Sequence, residues 1–153
     1  MLPDDIQRQN DILLVTSVSE GRIDFVIDFL DAGANIHHED DYPLRLAIYL
    51  GDVGMARILL GRGANIHAQK EEPLFAAIKR GDMGMIELLL ENGADIRAVL
   101  KHHKQSFDAT DIKVIDGIQM KDVRNASEKR LEAFKEKTKD RKSIILKPRP
   151  PKN

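Results

Sequence analysis

The sequence predicts an all-α protein, a solenoid of about three helix-turn-helix repeats with a divergent helical C-terminal cap and a basic tail. The first observation is a period of 30 residues: GRIDFVIDFLDAGANI begins at Gly21, GDVGMARILLGRGANI at Gly51 and GDMGMIELLLENGADI at Gly81. The second is the helical spacing of apolar residues within each copy. The third is a glycine at two fixed places in every copy. Self-similarity at a fixed period is the signature of repeat architectures.

The first 20 residues form a modified first half-repeat. We expect Asn10 and Asp11 to cap a helix that runs from Ile12 to Glu20. Thirty positions further on, equivalent helices begin near Pro43 and Pro73. Proline suits the first helical turn, because its missing N–H would have no partner there.

A second helix follows in each copy and completes the unit. A glycine ends the short helix and favours a left-handed residue there; these are Gly21, Gly51 and Gly81. The second helix has apolar residues at helical spacing, for example Val53, Ala56, Leu59 and Leu60. It ends at another glycine of each copy, namely Gly33, Gly63 and Gly93.

The strings PLRLAIYLGDVGMARILLGRGANI and PLFAAIKRGDMGMIELLLENGADI resemble ankyrin repeats. The family pattern is a TPLHxAA helix, a glycine turn, a helix ending in paired leucines, and a GAD- or GAN-type loop. The resemblance covers residues 11–98 and implies a stack that binds proteins through its loop tips and first helices. The usual period is about 33 residues. The shorter loops here are similar to repeats of large DNA viruses, and they argue against binding through long hairpin fingers.

The repeat pattern fades after Arg97. We expect the following division: ankyrin repeats over 1–98 (11–36, 37–66 and 67–98), a divergent helical cap over 99–139, and an extended or disordered basic tail over 140–153. Ile112, Ile115 and Ile118 have the spacing of one helix face, and residues 127–139 favour a further helix. The cap is expected because a repeat array needs a terminal unit with a polar outer face.

Composition excludes several classes of protein. A chain of 153 residues suffices for one domain, and without cysteine it has no disulfide and no Cys-based zinc site. No window approaches the roughly 18 consecutive apolar residues that span a bilayer, so no membrane partner is expected. The N-terminus lacks the pattern of a secretory signal. We therefore expect an intracellular protein, in the cytoplasm (the host cytoplasm if viral) or in the nucleus.

Catalytic and metal-binding motifs are absent from the sequence. His37-His38 and His102-His103 are adjacent pairs that point in different directions, whereas zinc needs three or four converging ligands. The glycines form no phosphate-binding motif, and no serine has a nucleophile-elbow context. The run Glu39-Asp40-Asp41 suggests a general-acid pair or a cation site, but a solvated loop tip is the favoured interpretation. We expect no enzyme activity, no cofactor and no metal.

The predicted partner-binding surface consists of exposed positions on two successive repeats. Tyr49 and Leu50 stand out, because their counterparts Lys79 and Arg80 are charged and aromatic residues are enriched among binding hot spots. The alternative for Tyr49 is packing against the neighbouring repeat. The full set is Asp40, Asp41, Tyr42, Tyr49, Leu50, Lys70, Glu71, Glu72, Lys79 and Arg80.

Charge is distributed unevenly along the chain. Residues 1–120 hold 12 basic and 20 acidic side chains, whereas residues 121–153 hold 12 basic and 5 acidic ones. Basic tails often meet nucleic acid or an acidic surface, where phosphates require only positive charge and reach. A solubilising tail or a proline-rich ligand at Pro148–Pro151 are the other interpretations. The tail candidates are Lys139, Arg141, Lys142, Lys147, Arg149 and Lys152.

These observations lead to two main hypotheses. The first is a non-enzymatic adaptor that binds a protein partner through the concave ankyrin surface. The alternative is a structural subunit of a large assembly or ribonucleoprotein, anchored by the basic tail. A third, an effector that recruits a host degradation machinery, rests only on the similarity of LPDDI to the opening of an F-box.

Overall fold

A computed structural model of the protein describes residues 3–121 together with residues 128 and 132. Throughout these residues the regular structure is helical, without a strand. The helices are α1 (Pro3–Ser19), α2 (Ile23–Asp31), α3 (His38–Leu50), α4 (Val53–Gly61), α5 (Ala68–Arg80), α6 (Met83–Glu91) and α7 (Ile96–His103), and a 3-10 turn at Lys104–Ser106 follows.

The chain divides into two units, residues 1–111 and 112–153, and the first unit is a stack of helix pairs. Helix α1 packs on α2, α3 on α4 and α5 on α6. The first helices of the pairs also pack in sequence, α1 on α3, α3 on α5 and α5 on α7. The predicted all-α repeat solenoid is confirmed. Helix α7 occupies the place of a fourth first helix and continues past residue 98, where the sequence pattern ends.

Glycine corners connect the helices as predicted. Gly51 ends α3 with φ 75°, and its N–H donates to the carbonyl of Ile48. Gly63 lies two residues after α4 with φ 93°. Both conformations lie in the left-handed region that glycine adopts without a Cβ clash. Asp52 and Asp82 then cap α4 and α6, each accepting the N–H of the residue three positions on.

The loop tips form tight left-handed turns. Residues 39–41 have φ between 48° and 59°, and residues 69–71 have φ between 50° and 68°. None of these six residues is glycine, although L-residues disfavour this region. The right-handed parts of α3 and α5 begin only after these turns, which places Pro43 and Pro73 in the first helical turn, as predicted. The short turns occupy the place of the expected short loops.

The core of the stack consists of aliphatic residues from both helices of each pair. Leu44 and Ile48 of α3 and Leu59 of α4 are fully buried. Met55 and Met85 are also fully buried, although the spacing argument did not include them. Methionine fills irregular gaps between helices well, because its side chain is unbranched.

The expected start of the first helix is wrong. Helix α1 begins at Pro3, and Asn10 and Asp11 lie within it rather than capping it. Asp4 and Asp5 occupy its first turn, where negative charge is favourable. The carboxylate of Asp11 instead accepts the backbone N–H of Asn35, at 2.7 Å, in the link to the next repeat. Asp11, the polar residue before the apolar run, therefore forms a contact between repeats and does not cap a helix.

The second unit is described over residues 112–121, 128 and 132, and residues 112–121 are helical. Ile115 and Ile118 are buried, whereas Ile112 is 50% exposed. The predicted helix in this region is confirmed, but Ile112 does not lie on its buried side. The remaining residues of the predicted helix 127–139, and the predicted tail 140–153, lie outside the described residues.

Candidate protein-binding surface

The last turn of α3 carries the most exposed pair of apolar side chains among the predicted partner-binding residues. Tyr49 and Leu50 are each 51% exposed. Arg45 lies one helical turn before Tyr49, so its side chain lies on the same face of α3. The left-handed turn at residues 39–41 fixes where the right-handed part of α3 begins and therefore which side chains occupy this face.

Glu72 joins this face to the next repeat. Its Oε2 accepts a hydrogen bond from Nε of Arg45, at 3.2 Å, and its Oε1 accepts the hydroxyl hydrogen of Tyr49. The Arg45 guanidinium also lies 5.7 Å from the ring centroid of Tyr42. The Arg45 and Glu72 side chains are mostly shielded from water, at 20% and 14% exposure. Tyr49 is therefore fixed to the neighbouring repeat and half exposed at once.

The ionisation of Tyr49 follows from this contact. The hydrogen bond to Glu72 raises the pKa of the Tyr49 phenol above its usual value, and partial burial and the carboxylate charge act in the same direction. The phenol consequently remains a protonated donor at neutral pH. A fixed hydroxyl leaves the ring as the part of Tyr49 that is available for contact.

Lys79 and Arg80 are engaged within the stack. Arg80 donates from Nη1 to the carbonyl of Tyr49 at 2.8 Å, which satisfies a free carbonyl at the end of α3. Nζ of Lys79 lies 2.7 Å from Oδ2 of Asp111, and this hydrogen bond raises the pKa of Lys79. Asp108 lies near the same ammonium, at 3.6 Å. Both basic side chains thus contribute to contacts between neighbouring segments.

The expectation that Asp41 and Glu71 are exposed is wrong. Asp41 is 4% exposed, and its Oδ1 accepts the N–H of Asn65 at 2.6 Å and contacts Nδ1 of His37 at 2.9 Å. Glu71 is 7% exposed and contacts Nδ1 of His67. The left-handed turn directs these carboxylates into the stack. Asp41 thereby connects its repeat to the next, Glu71 contacts a histidine of its own repeat, and neither carboxylate reaches the surface.

The other loop-tip residues lie where a partner can reach them. Asp40 and Lys70 are exposed and occupy equivalent places in the two left-handed turns. Nε2 of Gln69 donates to Oδ2 of Asp40 at 2.5 Å, which links the two tips. The candidate tail residues, from Lys139 to Lys152, lie outside the described residues.

The sequence pattern did not single out an aromatic cluster beside this surface. The ring of Phe75 stacks on that of His103 with centroids 4.3 Å apart, and Phe107 lies 5.4 Å from Phe75. Nε2 of His103 also contacts the carbonyl of Lys70 at 2.8 Å. The scarcity of aromatic residues was the available signal, since the chain has five Phe, two Tyr and no Trp. Tyr42 and Tyr49 of α3 and Phe75 of α5 lie on first helices, and Phe107 contacts Phe75 from the segment after the 3-10 turn.

The described part of the chain has neither a metal-binding cluster nor a membrane-spanning helix. Within residues 3–121, 128 and 132, no group of three or more His, Cys, Asp or Glu side chains is arranged to hold a metal ion. None of the helices described there has both the length and the apolar character required to cross a bilayer.

Comparison with known families agrees with this architecture. A family model described as ankyrin repeats in three copies matches residues 14–99, which is more than half of the chain. No curated protein matches the sequence. Ankyrin repeats are in general protein–protein interaction modules, and the family is typically non-enzymatic. The matched residues include the end of α1, the helices from α2 to α6, the glycine corners and the left-handed turns described above. The chain belongs to the ankyrin repeat family.

Proposed function

We propose that the protein is a non-enzymatic adaptor that binds a protein partner through its first helices and loop tips, with Tyr49 and Leu50 at the centre. The observation that carries this proposal is a half-exposed tyrosine whose hydroxyl is fixed by Glu72. An aromatic side chain held in one position loses little conformational entropy on binding. Aromatic residues in such positions are frequent binding hot spots.

The remaining predicted residues have different roles in this proposal. Tyr42 flanks the centre through its contact with Arg45, and Asp40 and Lys70 form a polar rim. Interfaces commonly surround an apolar centre with a polar rim. Asp41 and Glu71 are left out, because both side chains are buried. Lys79 and Arg80 are exposed, and their hydrogen bonds to Asp111 and to the carbonyl of Tyr49 support the surface.

The test is affinity capture with the full chain, followed by titration of the recovered partner. The Tyr49→Ala, Leu50→Ala double variant should lose at least about 2 kcal/mol of binding free energy, as hot-spot truncations do. Met83→Ala is the control, since Met83 is exposed on α6 and belongs neither to the first helices nor to the loop tips. Circular dichroism verifies the fold of each variant. Unchanged affinity of the double variant would contradict the proposed centre.

A second variant separates the ring from its support. Tyr49→Phe keeps the exposed ring and removes only the hydroxyl that donates a hydrogen bond to Glu72. We expect a smaller loss of affinity than for truncation to alanine, because the ring remains while its position is less restricted. An equal loss in the two variants would instead assign recognition to the hydroxyl.

The alternative function, a subunit of a large assembly anchored by the tail, is supported by charge. Residues 121–153 contain 12 basic and 5 acidic side chains. This excess of positive charge favours an anionic partner. Deletion of residues 140–153 should then release the protein from its assembly, and added salt should weaken attachment steeply. Intact co-sedimentation of the deletion variant would exclude this function.

A further inference from the structure

The last turn of α7 and the 3-10 turn after it form an open pocket with a polar lining. Its volume is about 470 Å³. The lining residues are consecutive in the chain, namely Lys101, His102, His103, Lys104, Gln105 and Ser106. Two ammonium groups, two imidazoles, a carboxamide and a hydroxyl supply hydrogen-bond donors, and none of these side chains is acidic. The pocket therefore has the chemistry of an anion-binding site.

His103 attaches this segment to α5. Its Nε2 lies 2.8 Å from the carbonyl oxygen of Lys70, and because a carbonyl only accepts, Nε2 carries the hydrogen. The imidazole also stacks on the ring of Phe75, with centroids 4.3 Å apart. Two contacts of different kinds thus hold the end of α7 against α5, and the pocket is supported by the stack.

The two lysines of the pocket are not neutralised by the carboxylates that follow them in the chain. Lys101 and Lys104 are exposed, and their side chains form no ion pair or hydrogen bond with another residue in the described part of the chain. Asp108 and Asp111 instead lie 3.6 and 2.7 Å from Nζ of Lys79. The same two carboxylates accept backbone N–H groups of that segment. The ammonium groups of the pocket therefore remain available to an anion.

Basic residues near a helix C-terminus also stabilise the helix, because they offset the partial negative charge of its free carbonyl groups. That partial charge is about half an elementary charge. Lys101 and Lys104 carry two positive charges, so an excess of about one and a half charges remains. Lys104, Gln105 and Ser106 also lie beyond the end of α7. Helix stabilisation therefore accounts for only part of the cluster.

We propose that this pocket binds the phosphate group of a phosphorylated side chain in a partner protein. A phosphomonoester carries a charge of about −1.5 to −2 and three strong acceptor oxygens, which suit two ammonium groups and several further donors. A carboxylate has one charge and two oxygens, so it satisfies fewer of these donors. Nucleotides are commonly held by stacking of the base on an aromatic side chain. No Phe, Tyr or Trp is among the residues that line this pocket, which favours a phosphorylated protein over a nucleotide.

The first test is titration of the full chain with a glycine peptide that contains one phosphoserine, followed by the amide NMR resonances. The resonances of residues 101–106 should shift saturably, and the unphosphorylated peptide should not shift them. A peptide with glutamate in place of phosphoserine should bind at least about tenfold more weakly. Equal shifts with potassium chloride at the same ionic strength, or equal affinity for the glutamate peptide, would refute the phosphate site. Tighter binding of adenosine monophosphate than of the phosphopeptide would overturn the assignment to a protein partner.

The second test removes the two charges of the pocket. The double variant Lys101→Gln, Lys104→Gln should bind the phosphopeptide at least about tenfold more weakly, because it loses two charge-assisted hydrogen bonds. Arg57→Gln, Lys113→Gln is the matched control, since it removes the same charge at exposed positions of other helices, and it should keep the affinity. Circular dichroism verifies the fold of each variant. An equal loss in both double variants would show attraction by overall charge and would overturn the pocket.

The pocket shares no residue with the proposed centre at Tyr49 and Leu50, so the two sites can fail separately. The Tyr49→Ala, Leu50→Ala variant should bind the phosphopeptide as tightly as the wild-type chain does. A loss of phosphopeptide affinity in this variant would place phosphate recognition at Tyr49 and would contradict the pocket.

Discussion

Three carboxylates occupy the same repeat position, but only two of them form a hydrogen bond to the following repeat. Asp11 and Asp41 each accept a backbone N–H from the following link, of Asn35 and Asn65 respectively. Glu71 occupies the third position, but its buried Oε2 has no hydrogen-bond partner. The extra methylene group of glutamate changes where the carboxylate lies. A buried polar atom without a partner is costly.

Glu71→Asp should therefore stabilise the protein. The shorter side chain can adopt the Asp41 geometry and accept the N–H of Asp95, which gives an expected gain of about 1 kcal/mol in the free energy of unfolding. The reciprocal variant Asp41→Glu should lose stability, because it breaks the bond to Asn65. Urea unfolding of both variants measures these changes. Destabilisation by Glu71→Asp would show that the third junction requires glutamate.

The two left-handed turns are the elements that deviate most from ordinary backbone preferences. Six non-glycine residues with positive φ were not predictable from a period of 30 residues alone. The sequence predicted only that the loops are short and that proline follows them. A shortened link must reverse direction within a few residues, and a left-handed turn achieves this without an insertion.

Lys70→Gly should stabilise the turn that contains it. Glycine avoids the penalty of about 1–2 kcal/mol that an L-residue pays in the left-handed region, but it adds freedom to the unfolded chain. We expect a net gain of up to about 1 kcal/mol. Lys113→Gly is the matched control in an exposed right-handed helix, and it should lose about 1 kcal/mol. The two changes in unfolding free energy should have opposite signs.

The start of the helix at residues 109–121 depends on a carboxylate cap. Oδ1 of Asp108 accepts the N–H of Thr110 at 2.8 Å and of Asp111 at 3.0 Å. These bonds, first that from Asp111, lower the pKa of Asp108, and the Lys79 charge acts in the same direction. A lowered folded-state pKa means that the stabilisation is present above the unfolded pKa and is lost as pH falls through the folded one.

Asp108→Asn keeps a capping oxygen but does not titrate. The advantage of the wild-type chain over this variant should be full at pH 6 and should shrink as pH falls below about 4, where the unfolded carboxyl binds its proton. Urea unfolding of both proteins at pH 6, 4 and 3 measures the difference. An advantage that stays constant across this range would show that the cap does not depend on the charge.

At the scale of the whole molecule, the predicted parts are those that every repeat shares. The helix pairs, the glycine corners and the place of Tyr49 and Leu50 follow from the period and the spacing of apolar residues. The contact of Glu72 with Arg45 was not predicted, because it joins residues of successive repeats and has no counterpart in the sequence period. Position in the repeat reveals which residues recur, but not which side chains meet across a junction.

In a linear stack, the helices that lose protection from hydrogen exchange should depend on which junction a substitution weakens. Asp11→Ala weakens the junction at one end, whereas Asp41→Ala weakens a central junction and leaves the Asn65 N–H unpaired. Since each repeat contacts only its neighbours, the first variant should increase hydrogen exchange mainly in α1 and α2. The second should increase exchange on both sides of the junction. Hydrogen exchange measured by mass spectrometry distinguishes the two patterns.

Glu39→Ala is the control for the central variant, because Glu39 and Asp41 share the left-handed backbone while Glu39 is exposed and its carboxylate lies near His38 of the same repeat. It places alanine in the same left-handed turn but keeps the Asn65 bond. Equal exchange in the Glu39 and Asp41 variants would assign the effect to the turn and not to the contact between repeats.

The bridge from Arg45 and Tyr49 to Glu72 also bears on how such a protein can evolve. Tyr49, at the centre of the proposed surface, and Arg45 belong to one repeat, and the glutamate that accepts hydrogen bonds from both belongs to the next. Duplication or loss of a single repeat would therefore alter recognition as well as length. A gene rearrangement that preserves the proposed surface would have to move both repeats together.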